Sequence, residues 1–284
     1  MEIWETPVET TLNADLGWEE MLLAPIGDVQ LGAPGCDFDR LVKHVNWMHK
    51  RGAYFLGMGE MVDLESLGNR KALRSITLYD SVENAIEDAA ARYVEQFINA
   101  TKHTAGKWLG LLRGHHEHVF LDGSTTESRI CKALKAPFLG DCVMLKLKFN
   151  RVANTSTSCI IWAHHGTGGG VTMAAPLNKL ERVTIHFDAD IYLMAHQHKK
   201  VAAPIDQLCL TARGKPRLVH RTKIIACTGG FLKGYEQGTR RGLHPEGSYI
   251  EKHMLSPVAL GGILLKIRPV HTNSGDRLDL NVEL

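Results

Sequence analysis

Apolar positions along the chain follow two periods, one of short continuous runs and one of helical spacing. Residues 21–29 (MLLAPIGDV) read as a buried strand closed by Gly27 and Asp28. Residues 38–52 (FDRLVKHVNWMHKRG) place Leu41, Val42, Val45 and Met48 at helical spacing and stop at Gly52. A second short strand is predicted over 53–59 (AYFLGMG) and a third over 108–112 (WLGLL). Between them, 81–102 predicts a long helix carrying Val82, Ile86, Tyr93, Phe97 and Ile98 on one face, and 125–135 predicts another. Strand and helix thus alternate through the first half, the pattern of a parallel, layered α/β sheet. The second half is richer in strands, at 143–149, 159–163, 191–195, 218–227 and 259–267, with one helix at about 176–185. The expected organisation is an acidic N-terminal arm (1–20) followed by one α/β domain (21–284) of two packed sheets, with a helical insert at about 68–105.

Charge changes this picture only locally. The 284 residues carry a formal net charge of +2, so no global field points to nucleic acid or to a membrane surface. No Lys or Arg precedes Arg40, while Glu2, Glu5, Glu9, Asp15, Glu19 and Glu20 make the arm acidic, the pattern of a solvated lead-in. No apolar run approaches the roughly 20 residues that span a bilayer, and MEIWETPVET lacks a basic region followed by an apolar core. Six cysteines are scattered with no CxxC, several of them inside apolar runs, which predicts free thiols and a cytoplasmic setting.

Histidine carries the chemistry. The ends of successive strands read GDVQ (Asp28, Gln30), GEMVD (Glu60, Asp63), GHHE (His115, His116, Glu117), AHHG (His164, His165) and AHQH (His196, His198). One such cluster is ordinarily a turn or a surface feature. Five together, each abutting an apolar run, place oxygen and nitrogen donors where loops of an α/β sheet converge. Asp28, Gln30, Glu60, His115, His164, His196 and His198 are too many donors for one ion. They suit two divalent ions about 3.5–4 Å apart that share a carboxylate.

In this order the motifs resemble those of the calcineurin-like metallophosphoesterases, with GDVQ, GEMVD, LRGHHE, WAHHG and MAHQH spread over residues 21–200. The glycine-rich HHGTGGG (164–170) and TGGFLKGY (228–235) are similar to bacteriophage and bacterial members, which would place a phage-encoded chain in the host cytoplasm. The resemblance implies a four-layer αββα sandwich with two central mixed β-sheets and a dinuclear site at the strand carboxyl ends. It implies one ion (Mn, Fe, Ni, Zn or Mg) on Asp28, Gln30 and His198, a second on His115, His164 and His196, and Glu60 bridging. His116 would protonate the leaving oxygen, Asp63 would orient it, and Arg113 would contact the phosphate. The family hydrolyses phosphate esters by attack of a metal-bridged hydroxide. Gln30, Glu60 and His115 stand where the family usually has His, Asp and Asn, and all three remain possible ligands.

The substrate is less legible. Arg213, Lys215 and Arg217, with Arg221, Lys223 and the pair Arg240–Arg241, are a candidate phosphate-backbone track, and His165 a candidate lining of the cleft. The expected activity is a phosphodiesterase acting on a nucleotide or nucleic acid, with a phosphomonoesterase or a weakened metal-binding homologue as the alternatives.

Overall fold

The computed structural model describes residues 7–10, 18–64, 79–152, 155–211, 215–235, 249–272 and 275–284. The first half runs β1 (Pro7–Thr10), β2 (Met21–Ile26), α1 (Phe38–Lys50), β3 (Tyr54–Gly57), α2 (Asp80–Thr101), β4 (Trp108–Leu111) and α3 (Thr126–Leu134). It continues with β5 (Cys142–Val152), β6 (Thr155–His164), α4 (Ala174–Val183), β7 (Ile191–Met194), β8 (Lys200–Leu210) and β9 (Leu218–Gly230). A single helical turn, Tyr249–Lys252, precedes β10 (Gly261–Gly262), β11 (Leu264–Thr272) and β12 (Gly275–Glu283).

These strands form two mixed sheets. The five-stranded sheet has the order β12-β11-β2-β3-β4, with β2, β3 and β4 parallel and β11 antiparallel to β2. The seven-stranded sheet has the order β1-β5-β6-β7-β9-β10, with β8 paired to β9. Here β6, β7 and β9 are parallel. The sheets face each other across Leu23, Leu56, Met58, Leu145, Ile161, Leu193 and Leu265. Leu41, Val45 and Met48 of α1, Val94 and Phe97 of α2 and Ile130 of α3 cover the outer face of the first sheet. Leu180 of α4 covers the second, against Trp162, Tyr192 and Ile225. Helix, sheet, sheet, helix is the αββα layering that the motif resemblance implies.

The local sequence explains the helix positions. Asp37 caps α1, its carboxylate accepting from Arg40 N at 3.2 Å, and Leu41, Val45 and Met48 then fall at i, i+4 and i+7 on the buried face. Thr125 and Ser128 form a reciprocal capping box at the start of α3. In α2 the buried stripe begins only at Ala90, continuing through Val94, Phe97 and Thr101. Val82, predicted on the apolar face, is exposed, as are all of residues 79–85, so the first turns of α2 are not packed on the core.

Three strands were not predicted. β1 lies parallel to β5, so residues 7–10 of the acidic arm are joined to a sheet and are not a lead-in. β8 contains Pro204 and a mixed polar pattern, which an edge strand tolerates, and among the described residues it pairs only with β9. β12 alternates Leu278, Leu280 and Val282 toward the inter-sheet core with polar residues outward, a period-2 signal that was legible.

Candidate metal centre

The parallel strands of both sheets end at one edge, and the polar motifs follow those ends. The loops after β2 and β3 are stitched together: Asp28 N donates to Gly59 O (3.2 Å), Val29 N to Glu60 O (3.0 Å), and Gln30 N to Glu60 O (2.9 Å). From the second sheet, Phe231 N donates to Asp28 O (2.9 Å). The loop after β4 comes so close that a Cβ on Gly114 would lie 2.3 Å from Glu60 N. Any larger residue at position 114 would push Glu60 away.

Asp28, Gln30, Glu60, His196 and His198 all have left-handed backbone, with φ of 48, 51, 58, 64 and 54°. Only Lys135, Tyr235 and Met254 share this conformation among the other described non-glycine residues. It costs on the order of 1–3 kcal/mol per residue and persists where the surrounding structure enforces it. The chain therefore gives up stability at five residues of the site, four of them in the donor groups, to turn their side chains inward.

The donors form two groups, each with one atom per residue within 4.8 Å of the rest: Glu60, His115, His165 and His196, and Asp28, Glu60 and His198. Glu60 belongs to both. His115 Nδ1 lies 3.3 Å from His196 Nδ1 and 3.9 Å from Glu60 Oε1. Two nitrogens at that separation, facing one carboxylate, fit a shared cation better than one another. Asp28 is wholly buried, and both its carboxylate oxygens lack a hydrogen-bond donor, as does His198 Nδ1. A buried carboxylate is costly unless paired or ligating. The donor set thus fits divalent ions of borderline or hard character. Gln30 takes a different part, its carboxamide Nε2 donating to Glu60 Oε2 at 3.0 Å.

Burial and the Glu60 charge push Asp28 well above the usual carboxylate range. Burial acts the same way on Glu60, but the His165 hydrogen bond and charge outweigh it and hold Glu60 well below its ordinary value. Burial lowers His196 and His198 to about 4 and also lowers His115, so these rings are neutral and ready to ligate at neutral pH. Burial would lower His165 too, yet the Glu60 hydrogen bond and the Asp28 and Glu60 charges raise it to about 9. An imidazole must shed its proton to ligate. Binding of a divalent ion at pH 7–8 is therefore expected to release about one proton, traceable to His165. Calorimetry in two buffers of different ionisation enthalpy measures it. The release should fall in His165→Ala and be unchanged in His164→Ala; release unchanged in His165→Ala would sink this assignment.

That contrast corrects the sequence-based choice between the adjacent histidines. His165 joins the donors, its Nε2 3.0 Å from Glu60 Oε1 and its Nδ1 2.7 Å from Met58 O. His164 turns away: its Nδ1 accepts from Gly166 N at 2.7 Å and its ring stacks on Trp162 with centroids 5.9 Å apart. Strand pleat is the reason. Cys159, Ile161 and Ala163 of β6 face the inter-sheet core, while Ile160 and Trp162 face α4. Continuing the alternation sends His164 outward and His165 toward the site.

His116 and Asp63 meet as the motifs suggest, Nδ1 lying 2.8 Å from Asp63 Oδ2, with Nε2 3.9 Å from Glu60 Oε1. Arg113 does not reach the donors. Its Nε pairs with Glu117 Oε2 at 3.0 Å, Asp141 Oδ1 lies 3.9 Å from Nη1, and the guanidinium sits over Phe138. The backbone of LRGHHE is in place, but the arginine is engaged on the loop's outer side.

The basic track is also displaced. Lys200 pairs with Thr228 at the site end of the β8–β9 hairpin, and Leu210 with Leu218 at the far end. Lys215 and Arg217 follow that far end, roughly 33 Å from the site at strand rise. Arg221 and Lys223 are bound by Asp188, and Arg221 also by Asp190. Strand direction puts these charges at the wrong end of the sheet to touch a substrate at the donors. Arg213, Arg240 and Arg241 lie outside the described residues.

No family model matches the chain, and no curated protein does. Solved structures do. Vps29 from Entamoeba histolytica, crystallised with Zn2+, is 13% identical over 92% of this chain and 99% of its own, with a TM-score of 0.34. A protein of Streptococcus pneumoniae described as a predicted phosphoesterase is 12% identical over 92% and 98%, with a TM-score of 0.31. The calcineurin-like phosphoesterase YfkN of Bacillus subtilis is 8% identical over 93% and 90%, with a TM-score of 0.35. Likeness at this level assigns no activity to the chain. No helix among the described residues is long and apolar enough to cross a membrane.

Proposed function

We propose that the chain is a calcineurin-like metallophosphoesterase that hydrolyses phosphodiester bonds of a nucleotide or nucleic acid. The observation that carries this reading is the wholly buried, donor-less Asp28 carboxylate, set among left-handed residues beside Glu60 and four histidines. Bound at these donors, divalent ions supply Lewis-acid charge and an activated water. Asp28 and His198 would hold one, His115, His165 and His196 the other, with Glu60 between them. Gln30 supports the arrangement by fixing the Glu60 carboxylate.

The remaining steps belong to the chain itself. Asp63 fixes the His116 ring through Nδ1 and turns Nε2 toward the cluster, where it can hand a proton to a departing alkoxide. Among the described residues, the engagement of the two cations closest in sequence to the donors favours a diester over a monoester. Arg113 is paired with Glu117, and Lys199 is spent on the carbonyls of Gly170 and Thr172. A doubly charged monoester would call for more positive charge than a singly charged diester.

Chelated protein given Mn2+, Ni2+, Zn2+, Mg2+ or Fe2+ is expected to hydrolyse bis-p-nitrophenyl phosphate faster than p-nitrophenyl phosphate. Monoester turnover alone would make the chain a phosphomonoesterase. Stoichiometric metal binding without turnover of either ester would make it a metal-binding homologue.

A further inference from the structure

Three loops meet at the Asp28 and His198 side of the centre. The first is the glycine-rich run after His165. A Cβ on Gly170 would lie 3.6 Å from Gln197 Oε1, between the two histidines of AHQH. Lys199 Nζ donates to Gly170 O and, at 2.7 Å, to Thr172 O, while Lys179 holds Thr167 O. The second loop follows Gly230, where a Cβ would sit 3.0 Å from Asp28 Cβ and 3.3 Å from His198 Nδ1. Tyr235 lies five residues further, within about 18 Å at full extension. The third runs through 249–256, with Ile250 packed on Gly234. Ser256 Oγ donates to Val171 O at 3.3 Å, and Tyr235 OH donates to Leu255 O at 3.0 Å. Each loop is thus bonded to the next, and two of them touch the residues that flank the metal donors.

Val171, Met173, Tyr235, Met254 and Leu255 are exposed on these loops, interspersed with the polar Thr167, Thr172, Lys252 and His253. Met254 is 87% exposed and Tyr235 52%. Both have left-handed backbone, with φ of 52° and 60°. Beyond the metal donors and Gln30 beside them, Lys135 alone shares that conformation among the described non-glycine residues, and it caps a helix. For side chains this bulky the conformation is an outlier, retained where neighbours enforce it and concentrated at ligand-holding sites. The hydroxyl bond to Leu255 anchors the edge of the Tyr235 ring while the ring remains half exposed.

We propose that this rim is a subsite for a nucleobase carried on the phosphate ester, stacked on Tyr235 and flanked by the Met173 and Met254 thioethers. The proposal deepens the phosphodiesterase reading and rests on it. A planar base offers a π-face to an aromatic ring whatever its sequence identity, and thioethers adapt to the ring edge. Gly170 abuts Gln197 and Gly230 abuts Asp28 and His198, so two of the rim's loops start at the donor cluster, and an ester held there would extend its organic arm along them.

Two esters with the same leaving group test it: thymidine 5′-(p-nitrophenyl phosphate) and methyl p-nitrophenyl phosphate, with Mn2+-loaded protein. Tyr235→Ala is expected to raise KM for the thymidine ester about tenfold, with kcat and the methyl ester within about twofold. Tyr235→Phe should keep most of the wild-type KM, since the ring does the stacking. Met173→Ala should raise the thymidine KM by a smaller factor and carries the test if Tyr235→Ala does not fold. Equal effects on both esters, or none, would overturn the subsite. A change of oligomeric state in Tyr235→Ala with KM unmoved would also overturn it and assign the rim to self-association. If neither ester is turned over, equilibrium binding of thymidine 5′-monophosphate against inorganic phosphate reads the rim without catalysis. Nucleotide binding weakened about tenfold by Tyr235→Ala would then keep the subsite and sink the phosphodiesterase reading. No preference for the nucleotide over phosphate would sink the subsite itself.

Discussion

Asp28→Asn is expected to abolish metal-dependent ester hydrolysis and, in the same protein stripped of metal, to raise the melting temperature. The two effects have one origin. Asp28 is wholly buried, its oxygens meet no donor, and Glu60 lies beside it. Without a cation the folded state must hold an uncompensated charge or take up a proton, and burial with the Glu60 charge accordingly drives the Asp28 carboxyl well above its usual range. Asparagine removes that charge at nearly constant volume and can donate to Glu60. The sign with pH follows. A carboxyl whose folded pKa exceeds its unfolded value destabilises the fold above the unfolded pKa, and the penalty grows until pH reaches the folded one. The variant's advantage should therefore be smallest in acid and larger at neutral pH. With metal at about a hundred times its Kd, binding stabilises the wild type by about 2.7 kcal/mol. That corresponds to a rise in Tm of roughly 5–8 °C in a protein of this size, and the variant should lose most of it. Thermal melts with and without Mn2+ measure both halves. An Asp28→Asn protein that gained the full metal-induced rise would remove Asp28 from the ligand set.

What the sequence could and could not reveal divides along physical lines. Continuous apolar runs and helical spacing placed β2, β3, β4, β7 and four helices within a few residues of their observed limits, because burial of one face dictates those patterns. The order of polar motifs behind the strands located the donors for a related reason: parallel strands end at one edge. Side-chain direction within a motif was harder. His165 over His164 follows from the pleat of CIIWAHHG, since Ile161 and Ala163 face the core and His165 continues their side. The signal was in the chain, and proximity to the strand was the wrong criterion. Arg113 was not decidable locally, because its partners Glu117 and Asp141 compete with any phosphate and one of them lies 28 residues away. The basic hairpin failed for a topological reason. Its charges sit at the start of β9, and only strand direction shows that this is the end remote from the donors. The left-handed backbone at Gln30, Glu60 and His198 has no local sequence signature at all, since none of these is glycine or asparagine.

His116→Ala should separate proton delivery from metal binding. The His116 ring is held by Asp63 at 2.8 Å and presents Nε2 toward Glu60 at 3.9 Å, and it belongs to neither donor group. Its removal should therefore leave the metal-induced rise in Tm intact. For an ester whose leaving group is an alkoxide, loss of the proton donor should lower kcat by about 10²–10⁴-fold. A p-nitrophenolate departs without a proton, so the same variant should lose far less on bis-p-nitrophenyl phosphate. Asp63→Asn should show the same leaving-group dependence more weakly, because the amide keeps a contact to Nδ1 while losing the charge that supports a protonated ring. The pair of substrates decides what His116 does. A large, equal loss on both would mean that it binds substrate or metal and is not the acid. A small loss on both would move the proton donor to another group. Only the steep dependence on the leaving group, with metal affinity unchanged, fits a ring oriented by a carboxylate and turned toward the departing oxygen.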